Sequence, residues 1–408
     1  MEYWSDGLSV ENSMHYRNSE TLIKDLIDMI RNRNILTMSS FTAMFFLGVG
    51  SAVIGAASRN IGISPYQIGL LLATQNIGFI LSVITVGALA DSTDKARLMF
   101  AASLIIAVSF FFFYLKDSFV LNLGIMLIIG VGIGGYEGAA DAMLLDIHER
   151  RESLFISVNH FFVTFGELMI VIYLIFLQMN WRESMVQSAA AVFVLSIIFS
   201  LSRVPPRKVV SENFRKRLAF LGKQRPVLVL FLMASCAVGI ELALIGIITT
   251  LLMEFYGFDQ ITSKLGLVAF LSGIAAGRLV LGILAHKSQL LKYILTLFAL
   301  TAAVLSYLLF ASPGSVMAYI LLIVSGATIS VIFPLIIALT GLKYPEMSGT
   351  VMAVIKLGIP VGGIVVPLML SLLVQATSFK AALALFPLIG AAGFMLALSH
   401  RKQLKFKV

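Results

Sequence analysis

The sequence predicts an all-α membrane protein whose twelve transmembrane helices form two pseudo-symmetric six-helix bundles. Three observations predict this fold class. Of the 408 residues, 59% are hydrophobic and only 12% are charged, whereas a soluble domain has about 25% charged residues. Apolar runs of about 20 residues, long enough to cross a bilayer as a helix, recur along the whole chain. The longest polar stretch lies near the middle and separates six of these runs from the other six.

The twelve apolar runs are predicted to be membrane spans. Their approximate bounds are 35–57, 65–90, 97–115, 119–145, 153–177, 183–202, 226–255, 262–285, 291–311, 315–340, 348–374 and 379–398. Charged residues are absent from most of the third, sixth and twelfth runs, in segments 98–115, 184–202 and 381–399. We therefore expect these three helices to be lipid-exposed or purely structural.

The placement of basic residues predicts the orientation in the membrane. Twenty-three of the 30 Lys and Arg residues lie in the termini and loops of one side, and five lie near the other side. The positive-inside rule puts the richer side, and with it both termini, in the cytoplasm. We therefore expect a multi-pass protein of the cytoplasmic (inner) cell membrane. The net charge of +9 has the same explanation, and no nucleic-acid partner is predicted.

The chain divides into five predicted parts. They are a cytoplasmic tail at 1–34, a six-helix bundle at 35–202, a cytoplasmic linker at 203–225, a second bundle at 226–398 and a basic tail at 399–408. Apolar residues at helical spacing in 21–35 predict an amphipathic helix on the inner membrane face. The linker carries eight basic residues. We expect them to face solvent rather than to bind anionic lipid. We expect the chain to be monomeric.

The two halves repeat each other. Residues 48–52 correspond to 239–243, and residues 87–91 correspond to 282–286, at offsets of 191 and 195. A parallel repeat of six-helix bundles is a recurrent architecture of secondary transporters, which bind their solute between the halves near the bilayer midplane. The repeat therefore predicts a site between the bundles.

A charged turn, GALADSTDKAR, follows the second span. It resembles the G-x-L-a-D-r-x-G-r-k/r signature of the major facilitator superfamily, with Asp94 in place of the second glycine. In physical terms Gly87 allows close helix packing and Asp91 can bind a neighbouring helix end. Lys95 and Arg97 are predicted to anchor the inner face. The resemblance implies that this turn takes part in gating.

The second half carries an altered copy of the turn. It keeps Gly282 and the Leu-Ala pair, but His286 stands where the first copy has its acid. The carboxylate on which the first gating contact depends is therefore missing from the second copy. Arg278, four residues before Gly282, is predicted to pack at the same inner gate.

The fourth and fifth spans are similar to those of the fucose–galactose–glucose:proton symporter family. Gly134, Glu137 and Asp141 follow the family pattern G-x-x-E-x-x-x-N, with Asp141 in the place of asparagine, and His160 matches the pattern of the fifth span. Further matches are G-x-E, S-x-x-F-P and S-G-T at 239–241, 330–334 and 348–350. The resemblance implies that Glu137 is the proton-linked glutamate and that the solute is a sugar. The family's acid late in the first span corresponds here to Ala56.

Six polar residues within the spans are candidates for proton coupling or for the substrate cavity: Glu137, Asp141, His160, Glu167, Glu241 and Lys356. A charge near the bilayer centre costs at least about 2.5 kcal/mol, so such residues usually face a cavity or each other. Positions 157, 160, 164 and 167 form a polar stripe on one helix face, which is unfavourable against lipid. A carboxyl removed from water can hold a proton at neutral pH. Structural pairing, for example of Glu137 with Lys356, is the alternative.

A second stripe consists of small residues, Gly130, Gly134 and Gly138. Small residues at this spacing let two membrane helices approach closely. The stripe predicts tight packing of the fourth span against a neighbour.

The predicted function is secondary active transport of a small polar solute, with sugars as candidates, coupled to protons. The alternative is a proton-driven exporter of drugs or other amphipathic compounds, which the missing first-span acid, 30 Phe and 18 Met would suit. An enzyme is not predicted, since the chain lacks a nucleophile–base set and a His-rich cluster. No cofactor or metal site is predicted, so the energy would come from an ion gradient.

Overall fold

The computed structural model describes residues 32–90, 93–148, 152–176, 180–204, 224–284, 289–311, 314–344 and 348–404. Within these ranges all regular secondary structure is helical, and twelve helices are long and apolar enough to cross a membrane. The predicted spans and fold class are confirmed. The predicted amphipathic helix and most of the central linker fall outside the described residues.

Six helices lie within the described residues of the first half. They are α1 (Arg33–Ile61), α2 (Pro65–Ala90), α3 (Lys95–Phe112), α4 (Phe119–Ile147), α5 (Glu152–Phe176) and α6 (Trp181–Ser200). The second half contains α7 (Arg225–Tyr256), α8 (Gln260–Leu284), α9 (Leu290–Phe310), α10 (Ser315–Lys343), α11 (Ser348–Lys356), α12 (Gly358–Ala376), α13 (Phe379–Ala382), α14 (Leu385–Ser399) and α15 (Arg401–Leu404).

The same packing occurs in both halves. In the first half α1 packs on α5, α2 on α4 and α3 on α6. In the second half the equivalent pairs are α7 with α12, α8 with α10 and α9 with α14. The internal repeat in the sequence thus corresponds to a repeat of six-helix bundles.

The first helix of each half ends in the same way. Gly62 follows α1 with φ 80°, and Gly257 follows α7 with φ 68°. Glycine adopts this left-handed conformation without steric cost, and it ends a helix by donating to a carbonyl of the last turn. Gly62 donates to the carbonyl of Ser58 at 3.0 Å. Both turns lie at the same end of the molecule, called here the α1–α2 end.

The eleventh span is interrupted, although the sequence predicts one continuous helix over 348–374. It consists of α11, which ends at Lys356, and α12, which begins at Gly358. Pro360 has no N–H group, so the carbonyl of Lys356 cannot receive the usual helical bond from four residues onward. Pro334 inside α10 releases the carbonyl of Ser330 for the same reason. Both interruptions lie beside the cavity described below.

Within the described residues the two halves meet mainly through α1 with α7, α2 with α12, and α5 with α8. Glycines permit the closest approaches, because a Cβ at Gly55 would overlap the carbonyl oxygen of Ile245 and one at Gly69 would overlap that of Pro367. These contacts place the halves side by side, with a space between them.

Candidate functional site

A cavity of about 520 Å³ lies between the two halves. Helices α1, α2, α4 and α5 of the first half and α7, α8, α10, α11 and α12 of the second half contribute to its wall. Its ionisable lining consists of Glu137, His160 and Glu167 from the first half and of Glu241, Arg278 and Lys356 from the second. Five of the six residues predicted for coupling or binding therefore line one cavity.

One group of polar side chains is built around Asp141, which lies just behind the cavity wall. Its two carboxylate oxygens contact Nε2 of His160 at 2.9 Å and Nδ2 of Asn159, which donates at 3.0 Å. Asn159 is in turn fixed by the hydroxyl of Ser40 at 3.1 Å. Glu137 and Lys356 lie within electrostatic reach of His160. Asp141 thus orients the histidine that faces the cavity.

A second group of polar side chains is built around Arg278. Its guanidinium donates to Glu241 and to the hydroxyl of Thr164, both at 2.8 Å. Glu167 lies close enough to interact electrostatically with both charged groups. Glu167, Glu241 and Thr164 are all buried. Because Thr164 belongs to the first half, Arg278 links the two halves at the cavity.

The position of Arg278 corrects the sequence prediction. Counting along the chain puts it with Gly282 at the inner gate, but its side chain reaches the cavity and binds Glu241. Position 157 belongs to the predicted polar stripe of α5, but its side chain lies outside the described structure. The other three members of the stripe face the cavity or Arg278.

The α1–α2 end of the cavity is closed by bonds between the halves. Arg59 forms an ion pair with Glu254. Lys264 donates to the side-chain oxygen of Asn60 at 2.8 Å, and Asn60 donates to Gln260 at 3.1 Å. The sequence analysis counted Arg59 and Lys264 only among the five basic residues near the outer side and did not predict these contacts.

On the opposite side the cavity communicates with solvent. Lys356 is exposed, and 38% of the His160 side chain is accessible, whereas the Glu241 side chain is only 9% accessible. The cavity is therefore open on the side where Lys356 and His160 lie. By the predicted orientation, this is the cytoplasmic side.

Comparison with a family model identifies the fold. The model of the Major Facilitator Superfamily matches residues 36–357 and also 243–405. The chain belongs to the Major Facilitator Superfamily. The two matches cover both bundles, in agreement with the internal repeat. Membership in this superfamily indicates that the chain is a transporter rather than an enzyme.

Solved structures of superfamily transporters share this architecture. A bacterial homologue of the human lysosomal transporter Spinster, in an inward-facing and unoccupied conformation, matches with a TM-score of 0.75 at 16% identity, over 92% of this chain and 98% of that chain. The nucleoside transporter NupG matches with a TM-score of 0.74 at 14% identity, over 92% and 100%. A D-xylose–proton symporter matches with 0.70 at 12% identity, over 88% and 96%. A search of curated protein sequences found no match.

The superfamily turn after α2 is tied to two neighbouring helices. Asp94 accepts from the backbone N–H groups of Ala96 and Val204, both at 3.0 Å, so it caps α3 and holds the segment after α6. Lys95 is buried and forms an ion pair of 2.6 Å with Asp146 at the end of α4. Asp94 thus has a structural use at a position where the superfamily has glycine. The predicted contact of Asp91 lies outside the described residues.

The remaining gating residues have less defined surroundings. Arg97 is exposed, in agreement with its placement at a membrane face. A Cβ at Gly87 would meet no atom within 4 Å, so the prediction that glycine is needed there for close packing is wrong. The approach of α2 to α4 depends instead on Gly138, whose Cβ would lie 3.0 Å from the Gly87 nitrogen. Gly282 lies within α8, but its contacts with neighbouring side chains are outside the described part of the structure.

The predicted glycine stripe of α4 is confirmed. A Cβ at Gly130 would overlap the carbonyl oxygen of Gln75, and one at Gly134 would lie 2.5 Å from that of Phe79. The backbones of α2 and α4 therefore pack directly against each other. This packing fixes the rotation of α4, and with it the direction of Glu137.

Two cavity residues were missed by the sequence analysis. Gln75 and Asn76 lie in α2 and donate to backbone carbonyls, Gln75 to Gly50 and Asn76 to Leu72, at 2.8 and 2.9 Å. Adjacent amides inside an apolar helix are the signal that could have found them. Each amide has a second N–H group beyond the bond described, and both side chains line the cavity.

The ligand atoms of Glu137, Asp141 and His160 lie within 4.8 Å of one another. Two carboxylates and an imidazole could hold a divalent cation. The existing bond between Asp141 and His160, together with the neighbouring Lys356 charge, favours a hydrogen-bonded group over a metal centre. The absence of a metal site stays a prediction.

Proposed function

We propose that this superfamily member transports a small polar solute across the cytoplasmic membrane by alternating access, coupled to protons, and that sugars are the first candidates. The observation that carries the proposal is the cavity itself. It lies between the two halves, is closed at the α1–α2 end and is lined by carboxylates from both halves. A volume of about 520 Å³ is in the range typical of small-molecule sites.

Glu137 is the proposed proton-carrying group. It lines the cavity and, among the described residues, receives no hydrogen bond, so its carboxyl is free to take up and release a proton. His160 lies on the same wall and is bonded to Asp141, which provides a route for the proton toward the open side. Lys356 lines the same cavity and is a cation that can stabilise Glu137 after the proton has left.

The broken helices suit solute binding. The carbonyl groups of Ser330 and Lys356, released by the prolines that follow them, add hydrogen-bond acceptors beside the cavity. Arg278 and Lys356 supply donors. A polyhydroxylated solute matches a wall that offers donors and acceptors together with the apolar faces of Phe79 and Phe333. The superfamily structures named above include a D-xylose–proton symporter and a nucleoside transporter.

Alternating access requires the closed end to open. The bonds from Arg59 to Glu254 and from Lys264 to Asn60 hold that end shut in the described state. Opening must break these bonds while the cavity closes on the side of His160 and Lys356. The closed end is the outer end in the predicted orientation.

Uptake into proteoliposomes tests the proposal. The purified protein is reconstituted, a pH gradient is imposed, and accumulation of labelled hexoses, pentoses and nucleosides is measured. We expect uphill accumulation of at least one of them, which a protonophore abolishes. If none accumulates and the protein instead expels lipophilic cations against the gradient, the proposal is wrong and the exporter alternative is correct.

A further inference from the structure

The cavity contains a buried carboxylate that the proposed function does not use. Glu167 lies on α5, lines the cavity and is only 6% exposed. Among the described residues no group donates a hydrogen bond to it. Buried polar groups are almost always hydrogen-bonded, and a buried charge is almost always paired, so an unpartnered carboxylate at a cavity wall needs an explanation.

The neighbours of Glu167 do not neutralise it. Arg278 is the nearest cation, and its two described hydrogen bonds go to Glu241 and to Thr164. One guanidinium charge therefore faces two carboxylates. With both acids ionised, this group carries one negative charge in excess, in a place largely removed from water.

The other charged group of the cavity does not supply the missing cation. Lys356 and His160 lie together with Glu137 and Asp141, and each of these two bases has an acid as its electrostatic neighbour. The net charge of that group is zero when His160 is protonated and both acids are ionised. The excess negative charge of the cavity therefore belongs to Glu167.

We infer that Glu167 binds the ammonium group of a transported amine, so that the solute is a small organic cation such as an amino sugar or another primary amine. This inference rests on the proposed function and narrows its substrate class. An ammonium group offers the charge and the N–H donors that Glu167 lacks. The remainder of the solute lies in the cavity against Gln75 and the apolar wall.

Amine binding and proton release are linked at Glu167. In the empty cavity a proton neutralises the carboxyl, because a buried unpaired carboxylate is unstable. When R–NH₃⁺ binds, the carboxylate pairs with the ammonium group and the proton passes to solvent. Charge is conserved, since one cation replaces another. A neutral alcohol cannot make this exchange.

Matched pairs of probes test the inference by equilibrium binding, independently of transport. The full chain in nanodiscs is titrated calorimetrically with glucosamine and glucose, and with benzylamine and benzyl alcohol, at a pH where the amines are protonated. Titration in two buffers of different ionisation enthalpy counts the protons released. In at least one pair we expect the amine to bind at least about tenfold more tightly than the alcohol, with release of up to one proton.

Variants test whether the amine preference and the proton release depend on Glu167. Glu167→Gln keeps the shape of the side chain and is expected to abolish both the amine preference and the proton release. Glu167→Asp keeps the charge and is expected to retain the preference in weakened form. Glu183→Gln, at an exposed acid in the first turn of α6, is the matched control and is expected to behave like the native chain.

The inference is overturned if alcohols bind as tightly as amines, if neither amine binds, or if the preference survives in Glu167→Gln. Its failure differs from failure of the proposed function. Proton-driven uptake of a neutral sugar without amine preference would contradict only the inference. Amine-selective binding without any gradient-driven flux would contradict only the proposed function.

Discussion

The hydroxyl group of Thr164 accepts a hydrogen bond from Nη1 of Arg278 at 2.8 Å, and this bond crosses from one half of the chain to the other. Arg278 also donates to Glu241 within its own half. A rocking motion that opens the α1–α2 end must change the distance between α5 and α8. The bond to Thr164 is therefore the one expected to break, while the bond to Glu241 is retained.

Removing the guanidinium should destabilise the protein. Arg278→Gln leaves the carboxylate of Glu241 buried without its partner, which is expected to lower the free energy of unfolding by about 1–3 kcal/mol. Chemical unfolding in detergent micelles measures this change. The double variant Arg278→Gln with Glu241→Gln should recover part of the loss. Equal stability of the native chain and the single variant would show that the ion pair contributes nothing.

Gly55 should control closure of the α1–α2 end. In Gly55→Ala the new methyl group would overlap the carbonyl oxygen of Ile245, so closure is disfavoured. Labelling is measured in a background that carries Thr250→Cys, at a buried position, and Cys236→Ser. We expect an impermeant maleimide to label position 250 at least about tenfold faster with Gly55→Ala than without it. A tenfold change corresponds to a shift of about 1.4 kcal/mol in the equilibrium between the closed and open forms.

Gly124→Ala is the control for this experiment, because a Cβ at Gly124 would meet no atom within 4 Å. It should leave the labelling rate unchanged. If Gly55→Ala and Gly124→Ala label alike, the close contact does not govern closure.

The ion pair between Lys95 and Asp146 should be needed for stability at the turn after α2. Both side chains are nearly inaccessible, so Lys95→Met leaves a buried, unpaired carboxylate and should cost about 3–5 kcal/mol. Adding Asp146→Leu should restore most of the loss. Arg97→Met, at an exposed position of the same turn, is expected to change the stability by less than about 0.5 kcal/mol. Unfolding curves of the four proteins test this, and similar losses for Lys95→Met and Arg97→Met would contradict it.

His148 should make stability depend on pH. It lies just after α4, contacts the hydroxyl of Thr37 at 2.8 Å and stacks on Phe155. Burial, followed by the charge of Arg33, lowers the pKa of His148 below its ordinary value of 6.5. The unfolded chain therefore binds more protons than the folded chain as the pH falls through this region.

The contribution of His148 should be complete above its unfolded pKa and should decline as the pH falls toward the lowered folded value. The melting temperature of the native chain should consequently fall more steeply from about pH 7.5 to about pH 5.5 than that of His148→Gln. Parallel curves for the two proteins would exclude His148 as the cause.

The spans were predictable because a bilayer demands long apolar runs, and the sequence displays them directly. The placement of Glu137, His160 and Lys356 at a cavity was also predictable, because charged residues inside apolar spans usually face a cavity. The rotation of each helix about its axis did not, because it depends on contacts such as those of Gly130 and Gly134 with α2.

Arg278 shows where counting fails. Its backbone lies toward the inner end of α8, but its long side chain reaches Glu241 and Thr164. The pairing of Asp141 with His160 and Asn159 likewise depends on how α4 crosses α5. The closing ion pair of Arg59 and Glu254 joins residues 195 positions apart, and no local pattern connects them.

The central claim is that Glu137 couples the solute to the proton. Glu137→Gln is reconstituted in proteoliposomes and compared with the native chain in counterflow, which requires only exchange, and in uptake driven by a pH gradient. We expect the variant to retain counterflow and to lose uphill accumulation, because a glutamine binds no proton at neutral pH. Uphill accumulation at the native level would contradict the claim.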